Sequence, residues 1–441
     1  MSSETSPSKL SQWATSAYQQ IDNDYEGRAC NDISDQQCKE VPENFLTILF
    51  SLLASKLGDT LASAKIVLPW VMASTGAPAF FSALLVPIRE SGSMLPQLFL
   101  GAKIRRLPRR KAFLVISAIL QGACIFGLLA CAVLLEGQLA GITILILLSL
   151  FSLSRAITSI SVKDVIGKTI PKARRGRQSG YAASLAGFAS IAFGVVLMFS
   201  FESRSGIQWL LILGGVCFLL SGLLYSLLQE YKGATDGGVD GFKEGLSNLR
   251  LVIEDQPFRD FVLVRALMMS SSLVAPYFVL LAHQEQDSLK TLGLFIIVSG
   301  IADFVSGGIW GKKADQNSKA LMRLTAGLTA LICFAGAAVQ FFELPYQTAI
   351  GIGLFFLLSI IHQGVRQGRK TYVVDMAGGT KRTDYVSVSN TVIGFLLLFT
   401  GVITGLLAQV SMLLVFLFFA SASLLAFMLN SKLNQVSKKE N

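Results

Sequence analysis

Twelve stretches of about 20 mostly apolar residues follow one another along this chain of 441 residues. A helix satisfies its own backbone hydrogen bonds, so stretches of this length are predicted to cross a lipid bilayer as helices. Hydrophobic residues make up 52% of the chain, charged residues make up 15%, and the mean hydropathy is +0.57. These values lie outside the range of soluble domains. The sequence therefore predicts an all-α membrane protein with twelve transmembrane helices.

The predicted spans are 45–72, 78–102, 111–135, 141–165, 179–201, 206–228, 258–282, 289–311, 319–342, 346–370, 385–408 and 410–430. Marks in the first six recur 207 to 211 residues later in the matching span, which indicates a duplicated unit. The paired marks are Val67 and Pro69 with Val274 and Pro276, Arg155 and Asp164 with Arg366 and Asp375, and Gly187 and Gly194 with Gly394 and Gly401. Two pseudo-symmetric six-helix bundles of like orientation follow, with a site between them near mid-membrane.

This reading divides the chain into five parts. Residues 1–43 form a polar N-terminal tail, 44–228 the first bundle, 229–257 a linker, 258–430 the second bundle, and 431–441 a C-terminal tail. The N-terminal tail lacks the features of a cleaved secretory signal. The linker mixes Gly with charged residues and has room for a short helix.

Loop charges predict the orientation. The loop after span two is basic and contains no acid, and the loop after span four is almost as basic. Lys and Arg favour the cytoplasmic side of the inner membrane, so we expect both tails, with Cys30 and Cys38 as free thiols, to be cytoplasmic. The net charge of +10 follows from this topology, and we expect no nucleic-acid partner.

Only two histidines occur, His283 and His362. This count disfavours membrane enzymes built on histidine clusters and haem held by paired histidines. We therefore expect no enzyme activity, no cofactor and no metal site.

Two loops carry a family resemblance. The segment from Ile170 to Gly180, with Pro171, Arg175 and Gly176, resembles the proline, arginine-glycine, glycine pattern between helices four and five of the major facilitator superfamily. The loop from Gly101 to Lys111 resembles that family's glycine, aspartate, basic-pair motif.

The second loop departs from the family pattern. Arg105 stands where the family usually has aspartate, and Pro108 where it usually has glycine, whereas the second-half copy keeps Asp315. The proline-glycine signature of drug antiporters in helix five is also unmatched. The resemblance implies the twelve-helix transporter fold, and with these loops it implies a cytoplasmic gate. The gate candidates are Gly101, Arg105, Arg106, Asp164, Arg175, Gly311, Asp315 and Asp375.

Charges inside the spans are the candidates for a binding site, because an ionised group at mid-membrane costs several kcal/mol without a partner or a wet cavity. Arg155 and Arg366 hold equivalent positions in spans four and ten, which in the superfamily face the central cavity. Guanidinium forks bind carboxylates and phosphates, so two facing arginines predict an anion site. The alternative is that each is a gate or a packing ion pair in its own bundle. Arg89 and Arg265 complete the substrate-binding candidates.

Three acids could carry a coupling proton, because burial raises the pKa of a carboxylate. They are Asp59, Glu90 and Asp303. Asp59 could instead be neutralised by Lys56, three residues earlier on the same helix face. His362, one turn before Arg366, could also titrate.

These features predict a secondary active transporter that moves a small organic anion across the inner membrane by alternating access, coupled to protons or another ion. We expect it to work as a monomer in the lipid bilayer. The alternatives are a lipid translocase of the same fold, a drug or metabolite efflux pump, and a sensor that has lost transport.

Overall fold

The computed structural model describes residues 16, 18, 38–96, 100, 104, 107–200, 205–232, 249–285, 288–343, 345–376 and 382–436. Within these ranges the chain is helical and contains no strand.

Each predicted span corresponds to one helix or to a broken helix. The first half comprises span one (Val41–Leu61 and Val67–Ser74), span two (Ala79–Met94), span three (Lys111–Leu134), span four (Gly137–Thr169), span five (Lys172–Ser200) and span six (Ser205–Leu227). The second half comprises span seven (Gln256–Leu267, Ser270–Leu273 and Ala275–Glu285), span eight (Leu289–Gln316), span nine (Ser318–Phe341), span ten (Gln347–Met376), span eleven (Arg382–Val410) and span twelve (Met412–Leu429).

Ten helical segments among the described residues are long and apolar enough to cross a membrane, and they coincide with spans three to twelve. Span one falls outside this set because its 21-residue first helix, which contains Glu43, Lys56 and Asp59, is not apolar enough, and span two because its described helix has 16 residues. The predicted end of span two, at residue 102, lies beyond that helix. The described helices are consistent with the twelve predicted spans.

Spans one and seven are each broken near their middle. In span one the carbonyl oxygen of Ser63 accepts hydrogen bonds from the amides of Ile66, Val67 and Leu68, which turns the chain between the two helices. Pro69 is the third residue of the second helix, where its missing N–H leaves no helical bond unmade. Pro276 has the same role as the second residue of Ala275–Glu285. The duplicated proline therefore lies at the start of the last helical segment of the broken span in both halves.

The two halves meet along two helix pairs, span two with span eleven and span five with span eight. The contacts between spans five and eight are backbone against backbone. A Cβ added to Gly194 would lie 3.0 Å from the carbonyl oxygen of Gly293, and one added to Gly293 would lie 3.0 Å from that of Gly194. In the other pair a glycine faces a bulky residue, since a Cβ on Gly401 would lie 2.5 Å from Pro87 Cγ.

One end of the molecule, here called the linker end, contains both ends of the linker. There the buried carboxylate of Glu230 accepts hydrogen bonds from the backbone amides of Arg110 (2.7 Å) and Lys111 (2.7 Å) at the start of span three. Lys168, at the end of span four, donates to Glu230 at 3.3 Å. These bonds fix the chain after span six to two neighbouring spans.

At the opposite end the last segment of span one, Val67–Ser74, packs against the last segment of span seven, Ala275–Glu285. The rings of Trp70 and His283 lie 4.5 Å apart across the boundary between the halves. This contact closes the opposite end.

The linker and the N-terminal tail are only partly described. Leu251–Glu254 is a short helix before span seven, as the sequence suggested. In the tail, the ring of Tyr18 packs edge-on against Phe45, with ring centroids 5.2 Å apart. Cys38 is disulfide-bonded, so the expectation of a free thiol is wrong for this residue.

Candidate functional site

A central cavity lies between the two halves, on the linker side of the closed end. It has a larger compartment of about 780 Å³ and a smaller one of about 370 Å³. Spans one, five, eight and ten line the larger compartment, and spans two and seven contribute to the smaller one. Both compartments share Asp59, Thr60, Ser299, Asp303, Gln363 and Arg366. Most of these residues are polar or charged, so the cavity suits a hydrophilic solute.

Asp59 is the centre of an ion-pair network in the first half. Its carboxylate accepts from Arg89 at 2.8 Å and pairs with Arg155 through the other oxygen. Arg155 also donates to Ser55 at 2.6 Å, and the guanidinium of Arg89 lies 5.0 Å from the ring centre of Phe151. All three charged side chains are no more than about a quarter exposed. The network joins spans one, two and four.

This network changes two expectations from the sequence. The two guanidinium groups neutralise Asp59 in place of Lys56, which forms no ion pair among the described residues and lines the larger compartment. Arg155 is an ion-pair partner within its own bundle and does not line either compartment. The facing pair of Arg155 and Arg366 is therefore not formed in this conformation.

Arg366 is the basic residue that lines both compartments of the cavity. It lies on span ten, is exposed, and lines both compartments. Its side chain forms no hydrogen bond and no ion pair with any described residue. A guanidinium group in this position can offer its full set of donors to a bound anion.

A polar chain crosses between the halves in the smaller compartment. Lys65 Nζ of span one lies 3.3 Å from His362 Nε2 of span ten, and the hydroxyl of Ser271 in span seven lies 3.0 Å from His362 Nδ1. The sequence analysis named His362 as a group that could titrate but did not pair it with Lys65. No repeat or spacing links two residues 297 positions apart in different halves.

The remaining acids differ in their surroundings. Asp303 of span eight is exposed to the cavity and accepts a hydrogen bond from the neutral amide of Gln363. Glu90 lines neither compartment and interacts electrostatically with Lys65, Arg89 and Arg366. The adjacent Arg89 pairs with Asp59, which lies on another helix.

Arg265 lies away from the cavity. It is 6% exposed and donates to the hydroxyl of Ser389 at 2.5 Å and to the side-chain oxygen of Asn390 at 2.7 Å. The structure therefore gives it a packing role between spans seven and eleven.

The gate candidates are described in part. Gly101, Arg105 and Arg106 lie outside the described residues, and only the helical backbone is described for Arg175, Gly311 and Asp315. Asp164 pairs with Arg110 and lies 3.3 Å from Lys168 at the linker end. Asp375 is exposed at the end of span ten.

Metal ligands do not cluster in the part of the chain that the structure describes: no three His, Cys, Asp or Glu side chains come together there.

Comparison with known proteins identifies the fold. The inward open conformation of the xylose transporter XylE from E. coli superposes with a TM-score of 0.65 at 11% identity, over 90% of this chain and 97% of that one. The nucleoside transporter NupG gives a TM-score of 0.64 at 13% identity, over 88% and 100%. A bacterial homologue of the iron transporter ferroportin in the inward-facing state gives 0.65 at 16% identity, over 88% and 98%.

No curated protein matches the chain in sequence. The family model described as Major Facilitator Superfamily, in contrast, matches residues 45–365, which is most of the chain. The chain is thus a multi-pass membrane transporter, not an enzyme, and it belongs to the major facilitator superfamily.

Proposed function

We propose that this transporter moves a small organic anion across the inner membrane by alternating access, driven by a proton gradient. The observation that carries the anionic class is Arg366, a guanidinium group that lines both compartments and has no partner among the described side chains. The related structures are named for a sugar, a nucleoside and iron, so the anionic class rests on the side chains of this chain.

The lining of the cavity favours a solute over a lipid. On span five, the larger compartment is lined by glycine, alanine and serine, and Phe304 of span eight is its one aromatic residue among those described. An acyl chain would bury little apolar area on such a surface, whereas a polar solute would find donors and acceptors. This argues against the lipid translocase alternative.

The linker end is proposed to face the cytoplasm, as the basic loops suggest. The cavity extends from mid-molecule toward this end, while Trp70 and His283 close the other. The structure would then be the inward-facing state of the transport cycle.

The test of the anion site is flux into liposomes of the purified protein with Arg366 changed. Arg366→Gln should abolish uptake of the anion, and Arg366→Lys should reduce it strongly, because a point charge replaces a planar fork. Lys370→Gln is the matched control, since Lys370 is an exposed basic residue one turn further along the same helix and outside the cavity lining. Wild-type uptake kinetics in Arg366→Gln would overturn the anion role.

Asp303 is the acid best placed to carry a coupling proton. It is exposed to the cavity with one neutral hydrogen-bond partner, whereas protonating Asp59 would break ion pairs to two guanidinium groups. Asp303→Asn should keep exchange of labelled for unlabelled solute but lose accumulation driven by an imposed pH gradient. If collapsing that gradient leaves wild-type accumulation unchanged, proton coupling is refuted.

A further inference from the structure

The cavity contains more positive than negative charge. Four basic side chains line the two compartments, namely Lys56, Lys65, Arg89 and Arg366, against the two acids Asp59 and Asp303. Adding the charged neighbours increases the excess, because Arg155 and Arg369 outnumber Glu90.

The two lining acids are already engaged. Asp59 is held by two guanidinium groups, and Asp303 accepts from Gln363. Lys56 and Arg366 therefore form no ion pair among the described residues. The ammonium group of Lys65 has the imidazole of His362 as its hydrogen-bond partner, and Glu90 forms no ion pair with it.

The three basic groups that form no ion pair among the described residues are separated along the cavity. Lys56 lines only the larger compartment, Lys65 lines only the smaller one, and Arg366 lies at the boundary and lines both. Lys56 lies on the first helix of span one, Val41–Leu61, whereas Lys65 lies in the turn between this helix and Val67–Ser74. An anion bound at one of them leaves the other without an ion-pair partner among the described residues.

Charge without an ion-pair partner at membrane depth is costly, and one carboxylate contacts only the basic groups that lie next to it. A solute with a negative group at each end would neutralise the basic groups of both compartments at once. We propose that the solute is an elongated organic dianion of the α,ω-dicarboxylate type, with one carboxylate at Arg366 and Lys65 and the other at Lys56. This assignment rests on the anion transport proposed above and specifies its substrate class.

The test is binding to the full-length protein in detergent, measured by isothermal titration and by thermal stabilisation. The probes are unbranched dicarboxylates of four to nine carbons, each paired with its monomethyl ester, which has the same length and one charge. At least one dicarboxylate should bind about tenfold tighter than its monoester, since a second charge-assisted contact is gained. Alkyl phosphates of matched length test the alternative ligand, a dianion whose two negative charges are on the same group.

Variants locate the second carboxylate. Lys56→Gln should weaken dicarboxylate binding to the level of the monoester and leave the affinity for the monoester unchanged. Lys56→Arg keeps the positive charge and should retain the preference, which separates loss of charge from loss of folding. Lys290→Gln is the control, because Lys290 is exposed at the start of span eight and lies outside the cavity lining.

The possible results are distinct. If dicarboxylates and monoesters bind equally and both lose affinity in Arg366→Gln, the dianion proposal is refuted and the anion transporter stands. Equal binding of an alkyl phosphate and the best dicarboxylate would refute the two-ended arrangement. If no anion binds, both proposals are overturned.

Discussion

Replacing Gly194 with alanine tests the contact between the two halves. A methyl group at this position of span five would lie 2.6 Å from Ile297 Cγ1 and 3.0 Å from the carbonyl oxygen of Gly293. A backbone oxygen cannot rotate away, and the Cγ1 of a β-branched residue in a helix is restricted at χ1. The two helices must therefore separate, or span eight must shift.

The loss of stability caused by this contact can be estimated by comparison with a matched substitution on the same helix. Gly187 lies two turns earlier, and a Cβ added there meets nothing within 4 Å. Both alanines gain about 0.5–1 kcal/mol from the lower backbone entropy of the unfolded chain. Only Gly194→Ala adds the overpacking cost of about 1–3 kcal/mol. The difference between the two variants thus isolates the contact.

Thermal unfolding in detergent gives the comparison. At about 2 °C per kcal/mol, the low end of the range for large domains, Gly194→Ala should melt about 2–6 °C below Gly187→Ala. Equal melting temperatures, or a more stable Gly194→Ala, would refute the backbone contact between spans five and eight.

Two further substitutions test the packing that surrounds the cavity. Glu230→Gln keeps the shape of the side chain but removes the negative charge that accepts hydrogen bonds from the backbone amides of Arg110 and Lys111. It should lower the free energy of unfolding by about 1–3 kcal/mol. An unchanged melting temperature would show that these hydrogen bonds do not hold the linker. Arg265→Met leaves the side chains of Ser389 and Asn390 without their donor and should lower stability by a similar amount. Solute affinity should stay within about twofold, well under the tenfold that 1.4 kcal/mol represents, and a larger loss would return Arg265 to the binding site.

The sequence predicted the membrane architecture because its signals are local. Apolar stretches of spanning length and basic loops are visible without knowing which helices touch. The duplicated mark at Pro69 and Pro276 was also visible, but the helix breaks beside it were not. Those breaks depend on hydrogen bonds such as those to the Ser63 carbonyl, formed by small and apolar residues that are equally compatible with a continuous helix.

Charge partners were predicted less well, because spacing along a helix identifies neighbours only on that helix. Lys56 is three residues from Asp59, yet helix packing places Arg89 and Arg155 of two other spans on the same carboxylate. Guanidinium groups are less strongly hydrated than an ammonium and bind carboxylates in a fixed geometry, which favours them inside a bundle. Arg366 lines the cavity, and its span has no carboxylate within one turn of it.

The interruptions in spans one and seven bear on how the closed end opens. A continuous helix resists bending because backbone hydrogen bonds connect each turn to the next, whereas a broken helix lacks some of these bonds at the break and can bend there. The segments that follow the two breaks, Val67–Ser74 and Ala275–Glu285, contain Trp70 and His283. These two short segments can tilt apart while the helix Val41–Leu61, which contains Lys56 and Asp59, keeps its position. An opening at that end would then need these two short helices to separate.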